Sequence, residues 1–204
     1  MFEHYIWDFD GTLFDTYPVI LEGMVNALVH FGKTPDREEV FRTLKQESSS
    51  AVARDNHLDF QMFRKVFQSF EQKDPRTPIS YPGTRKNLEQ VVKAGHHNYI
   101  LTHRDFSSTQ QLLQKEQLTE FITTIVGSDK AFPRKPDPAS INYLMQTYQM
   151  DPKKTVMIGD RSLDVMAGKN AGIQTIFFDP EHILADIPEA DHIVRSTEAL
   201  LALI

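Results

Sequence analysis

Apolar residues in this chain fall into five short runs, separated by longer stretches in which apolar positions recur three or four residues apart. Runs of this length predict buried strands, and the spacing between them, as at Leu88, Val91 and Val92, predicts helices. Alternating strands and helices favour a parallel sheet with helices on both faces, whose ligands bind beyond the carboxyl ends of the strands. The predicted strands are residues 5–9, 98–102, 122–126, 155–159 and 174–178.

The segment between the first two predicted strands breaks this alternation. From about residue 16 to residue 80 it carries no convincing strand but three amphipathic helical stripes, and its exit, residues 74–83, is rich in proline, as in a stiff linker. We therefore predict a core of residues 1–15 and 80–204 and a small helical bundle of residues 16–79. We interpret the three stripes as the core of this bundle rather than as a cofactor pocket. They are Val19, Met24, Val25, Leu28 and Val29; Val40, Phe41 and Leu44; and Phe60, Phe63, Val66, Phe67 and Phe70.

Composition limits the partners and the location of the protein. A chain of 204 residues can form one core and carry a small accessory domain. The formal charge of −6 and the lack of a dense Lys/Arg run argue against a nucleic-acid partner. The chain has no cysteine, which excludes disulfides and thiol chemistry. No apolar run approaches the roughly 20 residues of a membrane span. We therefore predict a cytoplasmic protein without a membrane partner and leave its oligomeric state open.

Two carboxylates follow the first predicted strand. Asp8 and Asp10 are two residues apart, so strand geometry would point both to the same side. Neighbouring carboxylates repel one another unless a cation lies between them, and Mg²⁺ is the hard cation that suits such oxygen ligands. Gly11 permits a tight turn directly after the pair. The alternative is an ordinary strand-to-turn transition, since Asp and Gly are common turn formers.

Three further motifs stand at or just beyond the ends of later predicted strands. With the first they are Asp8-Phe9-Asp10-Gly11-Thr12, Leu101-Thr102, Lys135-Pro136-Asp137-Pro138 and Ile158-Gly159-Asp160-Arg161-Ser162-Leu163-Asp164. In this order they resemble the four motifs of the haloacid dehalogenase (HAD) superfamily. The resemblance implies a Rossmann-like, three-layer α/β core with a helical cap inserted after the first strand, as in the subfamily of phosphoglycolate phosphatase and β-phosphoglucomutase. The Lys-Pro-x-Pro pattern selects Lys135 rather than Arg134 as the site cation.

The resemblance also implies a role for each motif. Asp8 would be the nucleophile that forms an aspartyl-phosphate, and Asp10 the general acid and base. Thr102 would bind the transferring phosphoryl oxygens, and the charge of Lys135 would stabilise them. Family members that cleave carbon–halogen bonds lack a carboxylate at the position of Asp10, so its presence favours phosphoryl chemistry. His103, which stands where the family often has asparagine, either contacts substrate or caps the turn.

Four carboxylates are the predicted ligands of a Mg²⁺ ion. Asp160 ends the fourth predicted strand and Asp164 lies one helical turn further on, so both can face one site. We assign Asp8, Asp10 and Asp160 to the metal, with Asp164 as a supporting or water-mediated partner. The alternative role for Asp160 is a helix N-cap.

These assignments predict a Mg²⁺-dependent phosphatase that hydrolyses a small phosphorylated metabolite, such as phosphoglycolate or a sugar phosphate. The cap would close over the core and choose the substrate. Residues 45–50 are the predicted specificity loop, with Lys45 and Arg54 as anion contacts, or else a solvated connector. A phosphomutase, the alternative enzyme, needs a second phosphate site in the cap, where Arg37 and Arg42 also lie. A non-catalytic binding protein is the third hypothesis, but the chain lacks none of the predicted catalytic carboxylates and retains the lysine.

Overall fold

The computed structural model, which describes residues 2–180, 187 and 189–204, is an α/β protein built around a parallel sheet. In chain order the strands are β1 (His4–Trp7), β2 (Phe14–Asp15), β3 (Ile79–Ser80), β4 (His97–Leu101), β5 (Ile122–Val126), β6 (Thr155–Gly159), β7 (Gln174–Phe178) and β8 (His192–Val194). The helices are α1 (Tyr17–His30), α2 (Arg37–Gln46), α3 (Ser49–Asp55), α4 (Phe60–Glu71), α5 (Thr84–Lys93), α6 (Phe106–Lys115), α7 (Ala139–Tyr148), α8 (Ser162–Asn170) and α9 (Thr197–Leu201).

The main sheet has six strands in the order β5-β4-β1-β6-β7-β8, and all neighbours are parallel. Three predicted strands, β5, β6 and β7, are confirmed at their predicted bounds. β1 and β4 begin one residue earlier than predicted and end earlier as well. The pattern missed β8 and the antiparallel pair of β2 and β3, because strands of two or three residues are too short to show a period. β3 also lies in the segment predicted to be free of strands.

The chain changes direction across the sheet beside β1. It adds β4 and β5 on one side of β1 and then returns to place β6 on the other side. Trp7 pairs with Ile158, and the Asp8 N–H donates to the Ile158 carbonyl oxygen at 2.8 Å, so β1 and β6 end level with each other. Such a switch point opens a crevice at the carboxyl ends of the strands, which is where parallel α/β sheets bind ligands.

Helices cover both faces of the sheet, as the alternation of strands and helices predicted. Tyr5 and Trp7 of β1 belong to an apolar cluster that includes residues of α5, α6 and α9. Ile6, which points to the opposite face, belongs to a second cluster with residues of α7 and α8. Two apolar clusters on opposite faces give the three layers expected of a Rossmann-like core. The predicted fold class is therefore confirmed.

A buried polar bridge fixes the end of β1 against its neighbour. The Trp7 indole Nε1 donates to Oδ1 of Asn98 at 2.9 Å, and Nδ2 of Asn98 donates to the Leu88 carbonyl oxygen at 3.0 Å. Since all three residues are buried, these hydrogen bonds satisfy groups that water cannot reach. They hold β1, β4 and α5 together one residue before Asp8.

The chain divides into two compact units, one of Met1–Asp15 with Ile79–Ile204 and one of Thr16–Pro78. The second unit contains α1 to α4, which pack around an apolar core that includes Met24, Leu28, Phe63 and Phe67. The predicted stripes therefore form a bundle core, with two exceptions: Val29 is 58% exposed, and Val19 is buried but lies outside this cluster. That this unit acts as a cap which chooses the substrate stays a prediction.

The predicted specificity loop, residues 45–50, is mostly helical. Lys45 lies in the last turn of α2, and Ser48 caps α3 by accepting the N–H of Ala51 at 3.2 Å. Lys45 is fully buried, and its ammonium lies 4.4 Å from the centre of the Tyr17 ring, so it is not part of a solvated connector. The segment is therefore not the loop that was predicted, because the serine run starts a helix. That these residues choose the substrate stays a prediction.

The longest helix in the described part of the chain is α1, with 14 residues. Among the helices of those residues, none combines the length and the apolar character that crossing a membrane requires. The cytoplasmic location stays a prediction.

Candidate active site

Three buried aspartates meet at the carboxyl end of the sheet. Asp8 follows β1, Asp160 follows β6, and Asp164 lies in the first turn of α8. Each offers a carboxylate oxygen that lies within 4.8 Å of those of the other two, and all three residues are at most 1% exposed. The structure thus brings together three of the four carboxylates predicted as metal ligands.

A glycine at the end of β6 allows Asp164 to approach the strand. A Cβ atom on Gly159 would lie only 2.3 Å from Cβ of Asp164, so a larger residue there would push the helix away. Oδ2 of Asp164 accepts the N–H of Arg161 at 3.2 Å, across the first turn of α8. The residue that precedes the helix is Arg161. The capping role considered for Asp160 therefore belongs to Asp164.

Lys135 holds two of these carboxylates together. Its ammonium Nζ donates to Oδ1 of Asp8 at 2.9 Å, to Oδ1 of Asp164 at 2.5 Å and to the Leu101 carbonyl oxygen at 3.2 Å. The residue is only 5% exposed, so the ion pairs lie away from bulk water. The structure places Lys135, rather than Arg134, among the aspartates.

Burial and crowded charges shift the acidity of this group. Burial, reinforced by the carboxylate of Asp164, raises the pKa of Asp8 to about 7, although Lys135 and Arg161 act in the opposite direction. For Lys135, burial acts to lower the pKa, but the Asp164 and Asp8 carboxylates outweigh it and raise the pKa above its usual value. Two cations therefore do not fully offset three buried carboxylates, which leaves the group suited to a further cation.

One atom of the group supports a metal site directly. Oδ2 of Asp8 is buried, and no donor in the described residues hydrogen-bonds to it. A buried carboxylate oxygen without a donor carries a large desolvation cost, and the Arg161 guanidinium 3.7 Å away does not offset it, since the pKa of Asp8 is still raised to about 7. Together with the hard oxygen donors of Asp160 and Asp164, this atom fits a Mg²⁺ ion.

Arg161 is a site residue that the sequence analysis missed. Its guanidinium Nη2 lies 3.7 Å from Oδ2 of Asp8, its Nε lies 3.9 Å from Oδ1 of Asp160, and the residue is 7% exposed. The one sequence feature that could have identified it is its position between Asp160 and the start of the following helix. Side-chain direction at such a junction does not follow from the hydrophobic pattern.

Asp10 lies outside the group of three aspartates. Its Oδ1 accepts a hydrogen bond from Nε of Arg104 at 3.0 Å and lies 2.9 Å from Nη2 of the same guanidinium, and both side chains are 16% exposed. Because β1 ends at Trp7, strand alternation does not reach Asp10, and the reason for placing it on the same side as Asp8 is lost. Gly11 adopts the expected turn conformation, with a φ of 80°. The role of Asp10 as a metal ligand stays a prediction.

Thr102 follows β4 and is 3% exposed. Its N–H donates to the Val126 carbonyl oxygen at 3.0 Å, and its Oγ1 accepts the N–H of Arg104 at 3.1 Å. The hydroxyl oxygen is thereby used as an acceptor, while the hydroxyl hydrogen can still be donated. This arrangement suits the predicted contact with a phosphoryl oxygen.

His103 connects two loops of the core. The N–H of Lys135 donates to its Nε2 at 3.1 Å, and a guanidinium nitrogen of Arg134 lies 2.9 Å from its Nδ1. A neutral imidazole has one acceptor nitrogen, so only one of these two donors can be bonded at a time. The ring therefore lies between the backbone of Lys135 and the side chain of Arg134, next to the site lysine, and a contact with substrate stays a prediction.

Comparison with known proteins agrees with this geometry. Residues 5–178 match the family model of haloacid dehalogenase-like hydrolases. A phosphoglycolate phosphatase of Vibrio parahaemolyticus is 28% identical over 182 residues, which are 81% of this chain and 78% of the relative. A phosphoglycolate phosphatase of Pseudomonas putida is 26% identical over 183 residues (84% and 67%), and the pyrophosphatase PpaX of Bacillus velezensis is 27% identical over 172 residues (83% and 80%).

Solved structures share the fold. A haloacid dehalogenase-like protein of Bacteroides fragilis superposes with a TM-score of 0.87 at 20% identity and full coverage of both chains, 100% each. A hydrolase of Streptococcus pneumoniae is 30% identical, with a TM-score of 0.60, and the match covers 91% of this chain and 94% of that one. The resemblance inferred from the four motifs is confirmed, and so is the prediction of a hydrolase. The chain belongs to the family of haloacid dehalogenase-like hydrolases.

Proposed function

We propose that this protein is a Mg²⁺-dependent phosphatase that hydrolyses a small organic phosphate monoester through an aspartyl-phosphate on Asp8. One observation carries the proposal: the buried group of Asp8, Asp160 and Asp164, with Nζ of Lys135 at 2.9 Å from the carboxylate of Asp8. A nucleophilic carboxylate, an anion-binding cation and a set of hard oxygen donors are the parts that phosphoryl transfer requires.

Asp8, Asp160 and Asp164 would hold the Mg²⁺ ion. When bound, the ion neutralises the carboxylates and the phosphoryl oxygens, so that two anionic partners can approach each other. Lys135 contributes in the same sense without a metal, because its ammonium already contacts Asp8 and Asp164. Its fixed charge would stabilise the negative charge on the phosphoryl oxygens in the transition state.

In the first half-reaction a carboxylate oxygen of Asp8 attacks phosphorus, and the bond from phosphorus to the leaving oxygen breaks. Asp10 donates a proton to that oxygen, so that an alcohol departs. In the second, Asp10 takes a proton from water, the water oxygen attacks phosphorus, and the bond to Asp8 breaks. Inorganic phosphate is released, Asp8 is again a carboxylate, and Asp10 again carries the proton that it gave to the leaving oxygen. The hydroxyl of Thr102 would donate to a phosphoryl oxygen in both steps.

The substrate class rests on the relatives. Several of them are phosphoglycolate phosphatases and one is a pyrophosphatase. We therefore propose a small phosphorylated metabolite, with phosphoglycolate and sugar phosphates as the leading compounds. The phosphomutase alternative needs unengaged cations in the helical unit. Arg37 is paired there with Glu22 at 2.8 Å, and Arg54 with Glu47 at 2.9 Å, so these arginines do not favour a second phosphate site.

The test is phosphate release from phosphoglycolate, hexose phosphates, pyrophosphate and para-nitrophenyl phosphate, each with Mg²⁺ and with chelator. The proposal predicts Mg²⁺-dependent release with a preference for one of the small metabolites. An isomeric sugar phosphate formed without inorganic phosphate would indicate the phosphomutase. Intact substrates throughout the panel, from a protein that binds Mg²⁺, would contradict both and favour a binding protein.

A further inference from the structure

Arg104 forms an ion pair with Asp10 in which its contacts converge on one carboxylate oxygen. Two nitrogens of its guanidinium, Nε and Nη2, converge on the same oxygen of Asp10, at 3.0 and 2.9 Å. The third nitrogen, Nη1, donates to Oγ of Ser108 at 2.9 Å. An arginine that met both oxygens of a carboxylate in a fork would occupy the whole group. Here the hydrogen bond and the short ion-pair contact both fall on Oδ1, and no group of the described residues donates a hydrogen bond to Oδ2 of Asp10.

The backbone of Arg104 is held on both sides as well. Its N–H donates to Oγ1 of Thr102 at 3.1 Å, and its carbonyl oxygen accepts the N–H of Ser128 at 3.0 Å. The loop at Gly127 is so close that a Cβ atom there would lie 2.9 Å from the Arg104 carbonyl oxygen. Arg104 is thus a fixed point between the end of β4 and the loop that follows β5.

The pair differs from the surface ion pairs of this protein. The side chains of Arg54 and Glu47 are 63% and 52% exposed, and such pairs contribute little because water screens them and both side chains must be ordered. Those of Arg104 and Asp10 are each 16% exposed, and the guanidinium is anchored by a second residue. Its orientation is therefore already fixed before substrate arrives.

We propose that Arg104 is a positioning residue for Asp10. It holds Oδ1 so that Oδ2 is presented for proton transfer to the leaving oxygen, and Ser108 keeps the guanidinium in place. This inference rests on the proposed phosphatase function. The expected effect is large, because displacing a reacting group by about 1 Å can cost roughly a hundredfold in rate. It should also be selective, since only departure of the leaving group requires that proton.

The experiment compares the wild type with Arg104→Ala, Arg104→Lys and Ser108→Ala on aryl and alkyl phosphates of increasing leaving-group basicity. The measured quantity is kcat/KM, which covers the reaction up to departure of the leaving group. Arg85→Ala is the matched control, since Arg85 is an exposed arginine that contacts the carbonyl oxygens of Glu116 and Gln117. Circular dichroism and thermal melting report on folding of each variant.

For Arg104→Ala we expect kcat/KM to fall by roughly a hundredfold on alkyl phosphates and by less than about fivefold on para-nitrophenyl phosphate. Arg104→Lys should recover most of the loss, because an ammonium can still contact Oδ1. Ser108→Ala should cost roughly threefold to fivefold in the same selective pattern, as expected for one hydrogen bond. Arg85→Ala should match the wild type.

An equal loss of kcat/KM on every leaving group would overturn the inference, since it would indicate weaker substrate binding or a disturbed fold. No loss in a folded Arg104→Ala protein would overturn it as well. A wild-type protein that releases phosphate from none of the esters would instead contradict the proposed function, and the role of Arg104 with it. The activity of the wild type alone therefore distinguishes a failure of the proposed function from a failure of the role inferred for Arg104.

Discussion

Asp8 and Asp10 are separated by one residue, yet their surroundings differ in almost every respect. Asp8 is fully buried beside two other carboxylates and the ammonium of Lys135. Asp10 lies at a more open position, where one of its oxygens is held by Arg104. Burial raises the pKa of Asp8 to about 7, so its charge depends on the cations around it.

Under the proposed function, this difference would let one residue type serve two steps of one reaction. A buried carboxylate surrounded by cations can be kept as a nucleophile that water does not reach. A carboxylate at the rim, fixed through one oxygen, can exchange protons with a leaving group and with water. On the proposed mechanism, environment rather than residue type would separate the nucleophile from the acid, as in other enzymes that pair two carboxylates.

Removing the nucleophile should have the largest effect. Asp8→Asn keeps the shape of the side chain but replaces the attacking oxygen, so we expect kcat to fall by roughly a thousandfold or more on every phosphate monoester. Phosphate release under Mg²⁺ measures this, with thermal melting as the check on folding. Retention of most activity would show that Asp8 is not the nucleophile.

Removing the acid should have a smaller effect that depends on the leaving group. Asp10→Asn keeps the side-chain volume but cannot donate the proton, so we expect kcat/KM to fall by about a hundredfold on alkyl phosphates and much less on para-nitrophenyl phosphate. A plot of the loss against leaving-group basicity checks this prediction. A loss of equal size for all leaving groups would count against the assignment of Asp10 as the acid.

Crowding at Gly159 should affect the proposed metal site around Asp8 and leave the surroundings of Asp10 unchanged. Gly159→Ala would place a Cβ atom 2.3 Å from Cβ of Asp164, so we expect Mg²⁺ affinity to fall by about tenfold, in the range seen when the support of metal ligands is disturbed. Isothermal titration measures this affinity.

Gly168→Ala is the matched control for that change. Its new Cβ atom would lie 2.4 Å from Cγ2 of Thr175, away from the carboxylates. Both variants should melt at a lower temperature, because overpacking costs about 1–3 kcal/mol. Only Gly159→Ala should bind Mg²⁺ more weakly, and an equal loss of affinity in both variants would disprove the specific effect on Asp164.

The smallest predicted effect is a dependence of stability on pH and Mg²⁺. In the metal-free protein the folded-state pKa of Asp8 is raised from 3.8 to about 7, so the folded protein holds this proton more tightly than the unfolded chain does. The stability from this group is therefore fully present below pH 3.8 and is lost as the pH rises through about 7.

Mg²⁺ should reverse that loss, because it binds the ionised carboxylate. We expect saturating Mg²⁺ to raise the melting temperature by roughly 5 °C or more near pH 8 and by less near pH 5.5. Differential scanning calorimetry across this range measures the increment, and Asp8→Asn should remove most of its pH dependence. An increment that is equal at both pH values in the wild type would contradict the proposed role of Asp8 in metal binding.

Much of the fold could be predicted from the hydrophobic pattern because buried parallel strands are continuous apolar runs. β5, β6 and β7 are found at their predicted bounds for this reason. β2 and β3 contain two residues each, and no period can be recognised in so short a segment. Residues 45–50 were predicted as a loop from their polar composition, although Ser48 begins a helix.

The site could be predicted in part, because motifs at the ends of parallel strands necessarily meet at one edge of the sheet. That rule places Asp8 and Asp160 together and, through the helix that follows, Asp164. It does not give the direction of long side chains that leave from loops. Arg104 and Arg161 were missed on that account, and the separation of Asp10 from Asp8 depends on where β1 ends, which the pattern placed two residues too late.

Trapping the covalent aspartyl-phosphate proposed on Asp8 tests the mechanism most directly. The protein is mixed with Mg²⁺ and a phosphate monoester that it hydrolyses, and the reaction is quenched in acid within one turnover. The protein is then digested, and its peptides are analysed by mass spectrometry. We expect a hydroxylamine-sensitive phosphoryl group on the peptide that carries Asp8, and none in Asp8→Asn or in the presence of chelator. Steady phosphate release without any phosphorylated Asp8 peptide would contradict it.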